Sequence, residues 1–114
     1  MVPGTNAKSP CDFFNYQCRR RYVVPNFQYE ASGVRPIHTC HLSAAGVTAS
    51  GQATTKKVAK QVAVAQFLRT LIVRGIHESW GLPKVPEDAF ALIERLLYQF
   101  SDRMVHQNGI LQLI

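Results

Sequence analysis

The sequence predicts an α+β fold in which three strands lie between two helices, with an additional helix nearer the C-terminus. Two segments with apolar residues at helical spacing predict the first two helices, over about 10–21 and 55–73. Short segments of strand character lie between them, separated by turn residues. These strands are predicted over 26–31, 37–44 and 47–50. A third helical pattern covers 87–107, which gives the order helix, three strands, helix, helix.

The first predicted helix has signals at both of its ends. Ser9 suits the N-cap position and Pro10 suits the first helical position. Cys11 and Phe14 belong to one apolar stripe along the helix. The three arginines at 19–21 lie near its C-terminus, where the helix dipole favours positive charge. These arginines therefore have either this structural role or a role in ligand binding.

Short connections between the three predicted strands favour an antiparallel meander. Gly33 and Pro36 mark the first connection, and Ala45 with Gly46 forms a tight turn at the second. The second strand alternates, with its apolar residues on one face and its polar residues on the other. A sheet of only three strands places both helices on the same face. The other face is predicted to be left to solvent or to a ligand.

Two lysines occupy the first turn of the second predicted helix, where a helix disfavours positive charge. The dipole places about half a positive charge at this end, yet Lys56 and Lys57 lie there and Lys60 follows one turn later. At 100° per residue, the three lysines fall within a single arc about 100° wide. Together with the free N–H groups of a helix start, they would form a phosphate-binding end. The alternative is that they are solvated surface lysines.

The last third of the chain is predicted to form an appendage to the first domain. Residues 76–86 contain Gly81 and Pro83, which indicates a linker, and residues 87–114 comprise an amphipathic helix and an apolar tail. The apolar stripe of this helix must be buried, either on its own domain, across a homodimer or on a partner chain. At the other end, residues 1–8 are polar and are predicted to be disordered.

The charge distribution indicates a polyanionic partner. The chain has a formal net charge of +6. Residues 1–75 contain ten Lys and Arg against two Asp and Glu, a net charge of +8, whereas residues 76–114 have a net charge of −2. The first two-thirds is therefore the basic part, and it is the part expected to meet the polyanion.

Several function classes are excluded by what the sequence lacks. No apolar run approaches the roughly 18 residues of a membrane span. The three cysteines have no CxxC spacing, which favours buried free thiols in a reducing, intracellular compartment over a metal site. The four histidines show no HExxH-like spacing, and no phosphate-binding loop is present. We therefore predict no metal, no cofactor and no enzymatic activity.

The architecture and its motifs resemble those of the double-stranded RNA-binding domain family, whose fold is α-β-β-β-α. The hallmark of the second helix is "TTKKVAKQVAVAQFL", and a helix beginning "SPCDFFNYQCRRR" and a first strand "VPNFQYE" also match. The glycine in "ASGQATTKK" precedes the second helix, as in the family. The local sequence is similar to that of the first such domain of maleless-type RNA helicases. The resemblance implies one domain over residues 9–75, with a C-terminal helical extension.

Three groups of residues match the regions through which this family binds A-form duplexes. The lysines that contact phosphates across the major groove correspond to Lys56, Lys57 and Lys60. The outer face of the first helix, which lies in a minor groove, corresponds to Asp12, Asn15, Tyr16 and Arg19. The loop that enters the next minor groove corresponds to Arg35, Pro36 and His38. This loop, "SGVRPIH", is shorter than the family's Gly-Pro-x-His element and is rearranged.

The resemblance implies a protein that binds double-stranded RNA by its shape and phosphate backbone, largely independently of sequence. Such a domain would serve as a module of a larger RNA-processing or regulatory protein. The alternative is a protein-interaction or dimerisation module of the same fold, with weak or no RNA binding. The expected partners are therefore double-stranded RNA and, through 87–107, a second copy or another protein, with no membrane.

Overall fold

The computed structural model describes residues 6–108 and, within them, the side chains of residues 6–104. Parts of the predicted disordered segment (1–5) and of the predicted apolar tail (109–114) lie outside the described residues. The elements in chain order are α1 (Pro10–Arg21), β1 (Asn26–Ser32), β2 (Ile37–Ala44), β3 (Val47–Ala53), α2 (Lys56–Val73), one turn of 3-10 helix (Glu78–Trp80) and α3 (Pro86–Asn108). The predicted order of elements is confirmed.

The three strands form one antiparallel sheet in the order β1-β2-β3. β1 pairs with β2 from Asn26↔Ser43 to Ser32↔Ile37. β3 extends to Ala53, which pairs with His38, and is three residues longer than the sequence predicted. A glycine normally weakens a strand. Gly51 is instead required here, because helix α2 lies directly against it.

Both helices of the domain cover one face of the sheet, as predicted. α2 lies over β2 and β3, and Cys40, Leu42 and Ala44 point toward it and are buried. Alternate residues point to the opposite, polar face. On that face, His41 Nε2 lies 2.8 Å from Glu30 Oε1 and His41 Nδ1 lies 2.9 Å from Ser50 Oγ. This face therefore has a hydrogen-bonded polar surface that links all three strands.

β1 is an edge strand that α2 does not cover. Phe27 and Tyr29 are consequently half-buried and Ala31 is exposed. Phe27 makes an edge contact with the buried ring of Phe14 in α1, at a centroid distance of 6.2 Å. The outer sides of the two β1 rings are thus left for other groups to cover.

The caps of α1 hold this helix in place. Ser9 is the N-cap, and its Oγ accepts a hydrogen bond of 3.1 Å from the backbone N–H of Asp12. The carboxylate of Asp12 in turn accepts a bond of 3.1 Å from the backbone N–H of Lys8. Tyr22 ends the helix in the left-handed conformation, with φ 57°. The predicted N-terminal signal is therefore the one that starts the helix.

The segment after α2 packs onto the domain. Trp80, in the predicted linker, is buried and stacks on Phe14, with a centroid distance of 6.2 Å and an interplanar angle of 3°. Five apolar residues on one side of α3 are buried in the same core: Ala89, Leu92, Ile93, Leu96 and Phe100. Arg69 of α2 pairs with Glu94 of α3 at 2.6 Å. The apolar stripe of α3 is thus buried within its own chain.

The packing of Trp80 predicts that α3 and the preceding segment unfold together with the rest of the domain. Trp80 is the only tryptophan of the chain, so its fluorescence reports on the packing of this segment against α1 and α2. Far-UV circular dichroism reports on all the helices. The two denaturant transitions are expected to coincide, as in a two-state unfolding reaction. A fluorescence transition at clearly lower denaturant would instead show that the segment detaches independently.

Over residues 6–108, none of the helices is both long enough and apolar enough to cross a membrane.

Candidate nucleic-acid interface

The N-terminus of α2 presents free backbone donors next to three lysines. Thr55 is the N-cap, and its Oγ1 accepts a hydrogen bond of 3.2 Å from the N–H of Val58. The first helical bond runs from the N–H of Ala59 to the Thr55 carbonyl, so the N–H groups of Lys56 and Lys57 precede it. The first turn contains no acidic residue. Positive charge and free N–H groups therefore coincide at this end, an arrangement that favours an anion.

Two of the three lysines lie over the aromatic rings of β1. Lys56 Nζ is 4.3 Å from the centroid of the Tyr29 ring, and Lys60 Nζ is 4.5 Å from the centroid of the Phe27 ring. Both distances are within the range of cation–π contacts. Lys57 is exposed and has no such ring contact among the described residues. The three lysines thus share one surface, on which two ammonium groups are held over rings and the third is not.

Sequence reasoning missed these ring contacts, although a signal for them exists. Four residues along a helix rise about 6 Å, and two residues along a strand rise about 6.6 Å. Lysines spaced four apart on α2 therefore match aromatic residues spaced two apart on β1. This matched spacing predicts ring contacts only once α2 is known to lie beside β1. That arrangement is a feature of the tertiary structure and is not visible in the local sequence.

The loop between β1 and β2 lies at the same end of the molecule as the start of α2. His38 pairs with Ala53, which is two residues before the N-cap of α2. Arg35 and Pro36 are exposed in the loop. His38 is half-buried, and because it alternates with Cys40, its side chain is on the helix-covered face of the sheet. The structure therefore brings this predicted region close to the lysines.

The predicted residues on α1 are on its outer face. Asp12, Asn15, Tyr16 and Arg19 are all exposed, and α3 leaves them uncovered. The N-terminus of α1 lies against α2, since the Cys11 N–H donates a bond of 3.0 Å to Gln61 Oε1. Gln61 is the residue that follows Lys60. The outer face of α1 therefore begins beside the lysine surface.

Two of these α1 residues also make intramolecular contacts that the sequence did not predict. The carboxylate of Asp12 accepts the bond from the Lys8 N–H at the start of α1, which gives this residue a structural role. The guanidinium of Arg20 lies 5.9 Å from the centroid of the Tyr16 ring. The side chains of Asn15 and Arg19 make no such contact with the side chains described, over residues 6–104.

The three cysteines are buried free thiols. Burial raises the pKa of Cys11 to about 12 and that of Cys18 to about 11, and burial also raises the pKa of Cys40. All three thiols are therefore protonated at neutral pH, and the thiolate is the nucleophilic and metal-binding form. Within residues 6–104, no three His, Cys, Asp or Glu side chains are grouped as a metal site.

Comparison with solved structures finds a similar fold in the solution structure of RDE-4(32-136). That structure superposes with a TM-score of 0.69 at 26% sequence identity, covering 81% of this chain and 88% of the other. No protein-family model matches the chain, and no curated protein sequence matches it.

Proposed function

We propose that this chain, which has the α-β-β-β-α fold of the double-stranded RNA-binding domain with a C-terminal helix added, binds double-stranded RNA. It reads the shape and phosphate backbone of the duplex, largely independently of base sequence. The observation that best supports this is the lysine surface: Lys56, Lys57 and Lys60 together at an α2 N-terminus that has no acidic residue.

In this proposal, the lysine surface contacts phosphates across the major groove. An ammonium group is a compact charge with several N–H donors, and it contacts phosphate oxygens without discriminating between bases. The free N–H groups at the start of α2 add to the positive potential there. Binding through such contacts explains why base sequence would matter little.

The outer face of α1 would lie in a minor groove, where the 2′-hydroxyl distinguishes RNA from DNA. Asn15 and Arg19 are the donors proposed for this groove, and Tyr16 supplies a hydroxyl group. Asp12 is proposed to accept a hydrogen bond from a 2′-hydroxyl. Its contribution is expected to be the smallest of the four, because its carboxylate already accepts a hydrogen bond from the backbone N–H of Lys8.

The loop between β1 and β2 would enter the next minor groove. Arg35 supplies a positive charge, Pro36 stiffens the loop and His38 lies at its base. Because this loop is short, we propose that the lysine surface contributes more to affinity than the loop does.

The test is a fluorescence anisotropy titration of a duplex of about 20 base pairs, slightly longer than the roughly 16 base pairs that such domains span. It compares the RNA and DNA forms at two salt concentrations. Tighter binding to RNA, by on the order of tenfold or more, is expected from the 2′-hydroxyl contacts that DNA cannot make. Affinity should also fall steeply with salt, because phosphate neutralisation releases counterions. Absence of binding to RNA at low salt would contradict the proposal.

We also propose that the chain acts inside the cell, as a module of a larger RNA-processing or regulatory protein. A second candidate function is protein contact through the outer face of α3, where Tyr98 is 70% exposed and Phe90 is 37% exposed. Since the apolar stripe of α3 is buried within the chain, its outer face, over residues 86–104, is the part of this helix available for a second copy or a partner. Light scattering at two protein concentrations tests for a homodimer.

A further inference from the structure

We infer that Tyr29 and Phe27 are positioning residues that hold the ammonium groups of Lys56 and Lys60 where a duplex phosphate backbone would meet them. The inference rests on the proposed function, which assigns the two lysines to phosphates. It adds two uncharged residues of the sheet to an interface that would otherwise consist of helix and loop residues.

The geometry pairs one ring with one lysine at each of two positions. Lys56 lies over Tyr29 at 4.3 Å and Lys60 lies over Phe27 at 4.5 Å. The two lysines are one helical turn apart, and the two rings are neighbours on the same face of β1. The near-equal rise of four helical residues and two strand residues lets both contacts form at once.

The rings themselves are fixed by the core. The Phe27 ring contacts Phe14 edge-on at an interplanar angle of 81°, and Phe14 is fully buried. Tyr29 pairs with Cys40 in the register of β1 and β2, and Cys40 is fully buried. Because β1 is at the edge of the sheet and the body of α2 lies over β2 and β3, the core does not cover the other side of each ring. The lysine side chains close over that open side.

This arrangement should help phosphate binding. The face of an aromatic ring attracts an ammonium group through its quadrupole and accepts no conventional hydrogen bond. The N–H donors of the lysine therefore remain available to phosphate oxygens. A free lysine also loses considerable side-chain entropy when a ligand immobilises it. Lysines that are already held over rings lose less of it on binding RNA, whereas exposed Lys57 does not have this advantage.

The first experiment measures the affinity for duplex RNA of Tyr29→Leu and Phe27→Leu, which keep apolar bulk and all charges. Each is expected to weaken binding about two- to fivefold, the size of a surface cation–π contact. Tyr29→Phe retains the ring and is expected to bind like wild type. Thermal melts followed by circular dichroism confirm that each variant is folded. Wild-type affinity in folded Tyr29→Leu and Phe27→Leu would overturn the inference.

A double-mutant cycle separates positioning from a general effect on the fold. In a Lys56→Gln background, Tyr29→Leu is expected to have no further effect on affinity, because the held ammonium group is already gone. In the matched Lys57→Gln background, Tyr29→Leu should cost the same two- to fivefold factor as in wild type. Equal losses in both backgrounds would show that the ring acts only through the fold, and the inference would be wrong.

A measurement without RNA distinguishes failure of this inference from failure of the proposed function. The ring currents of Tyr29 and Phe27 should shift the ε-CH₂ protons of Lys56 and Lys60 upfield in NMR spectra, while those of Lys57 remain at ordinary positions. Tyr29→Leu should remove the shift for Lys56 alone. Unshifted protons on both lysines in the wild type would overturn the inference, whatever the RNA titration shows. If the protons are shifted but the protein does not bind RNA, the position of the two lysines over the rings is confirmed. Only the proposed function would then be contradicted.

Discussion

Replacing Gly51 with alanine is expected to destabilise the domain by about 3 kcal/mol or more, the upper range for overpacking a core. A Cβ atom at this position would lie 2.3 Å from the backbone nitrogen of Ala63 and 2.8 Å from the carbonyl oxygen of Ala59. Both atoms belong to the backbone of α2, so no side chain can rotate to relieve the contact. α2 would have to lift from β3. Denaturant unfolding of the variant measures the decrease in stability.

The control for this substitution is Gly75→Ala, which adds the same methyl group in open space. Gly75 has φ +72°, so alanine there has only backbone strain, expected to cost about 1 kcal/mol. A second control combines Gly51→Ala with Ala63→Gly. It should not restore stability, because the obstructing atoms are backbone atoms. A melting temperature like that of the wild type for Gly51→Ala would show that α2 does not lie in direct contact with β3 at this point.

Replacing Lys56, Lys57 and Lys60 with glutamine is expected to reduce the affinity for duplex RNA on the order of 100-fold. This follows from about 1 kcal/mol for each lysine–phosphate pair at a wet surface. The slope of affinity against salt should fall by about 1 for each phosphate that is no longer neutralised. Glutamine is chosen over alanine because Lys56 and Lys60 also cover aromatic rings, and their aliphatic stems contribute packing. Anisotropy titrations at several salt concentrations measure both quantities.

The matched control removes three positive charges from elsewhere, through Arg74→Gln, Lys84→Gln and Arg95→Gln. Arg74 ends α2 at the opposite end of that helix from the lysines, and the other two residues belong to the C-terminal segment. Both triple variants reduce the net charge from +6 by the same amount. If affinity fell equally in the two variants, binding would depend on overall charge and not on the lysine surface. If the lysine variant kept the wild-type affinity for duplex RNA, the lysine surface would not be the RNA-binding interface.

Features set by neighbouring residues could be predicted from the sequence. Ser9 and Pro10 predict the start of α1, and the alternation in β2 predicts its buried face, because both depend on residues close together in the chain. The spacing of the three lysines placed them on one surface for the same reason. These features needed no knowledge of how the elements pack.

Features that depend on packing between distant elements could not be predicted in this way. The extension of β3 past Gly51 is explained only by the approach of α2, and the burial of Trp80 depends on space beside Phe14 that no local pattern reveals. The contact of Lys56 with Tyr29 joins residues far apart in the chain. Each of these depends on the arrangement of helices on the sheet, which local propensity does not determine.

The polar face of the sheet has a consequence for how many copies a duplex can accommodate. Over the three strands, the residues that point to this face include no lysine or arginine, and Glu30 adds a negative charge. A phosphate backbone would meet no lysine or arginine there to neutralise it. Each molecule would therefore occupy one duplex and could not bridge two by means of this face. Stoichiometry should then increase stepwise with duplex length, as successive copies find unoccupied stretches of the same RNA.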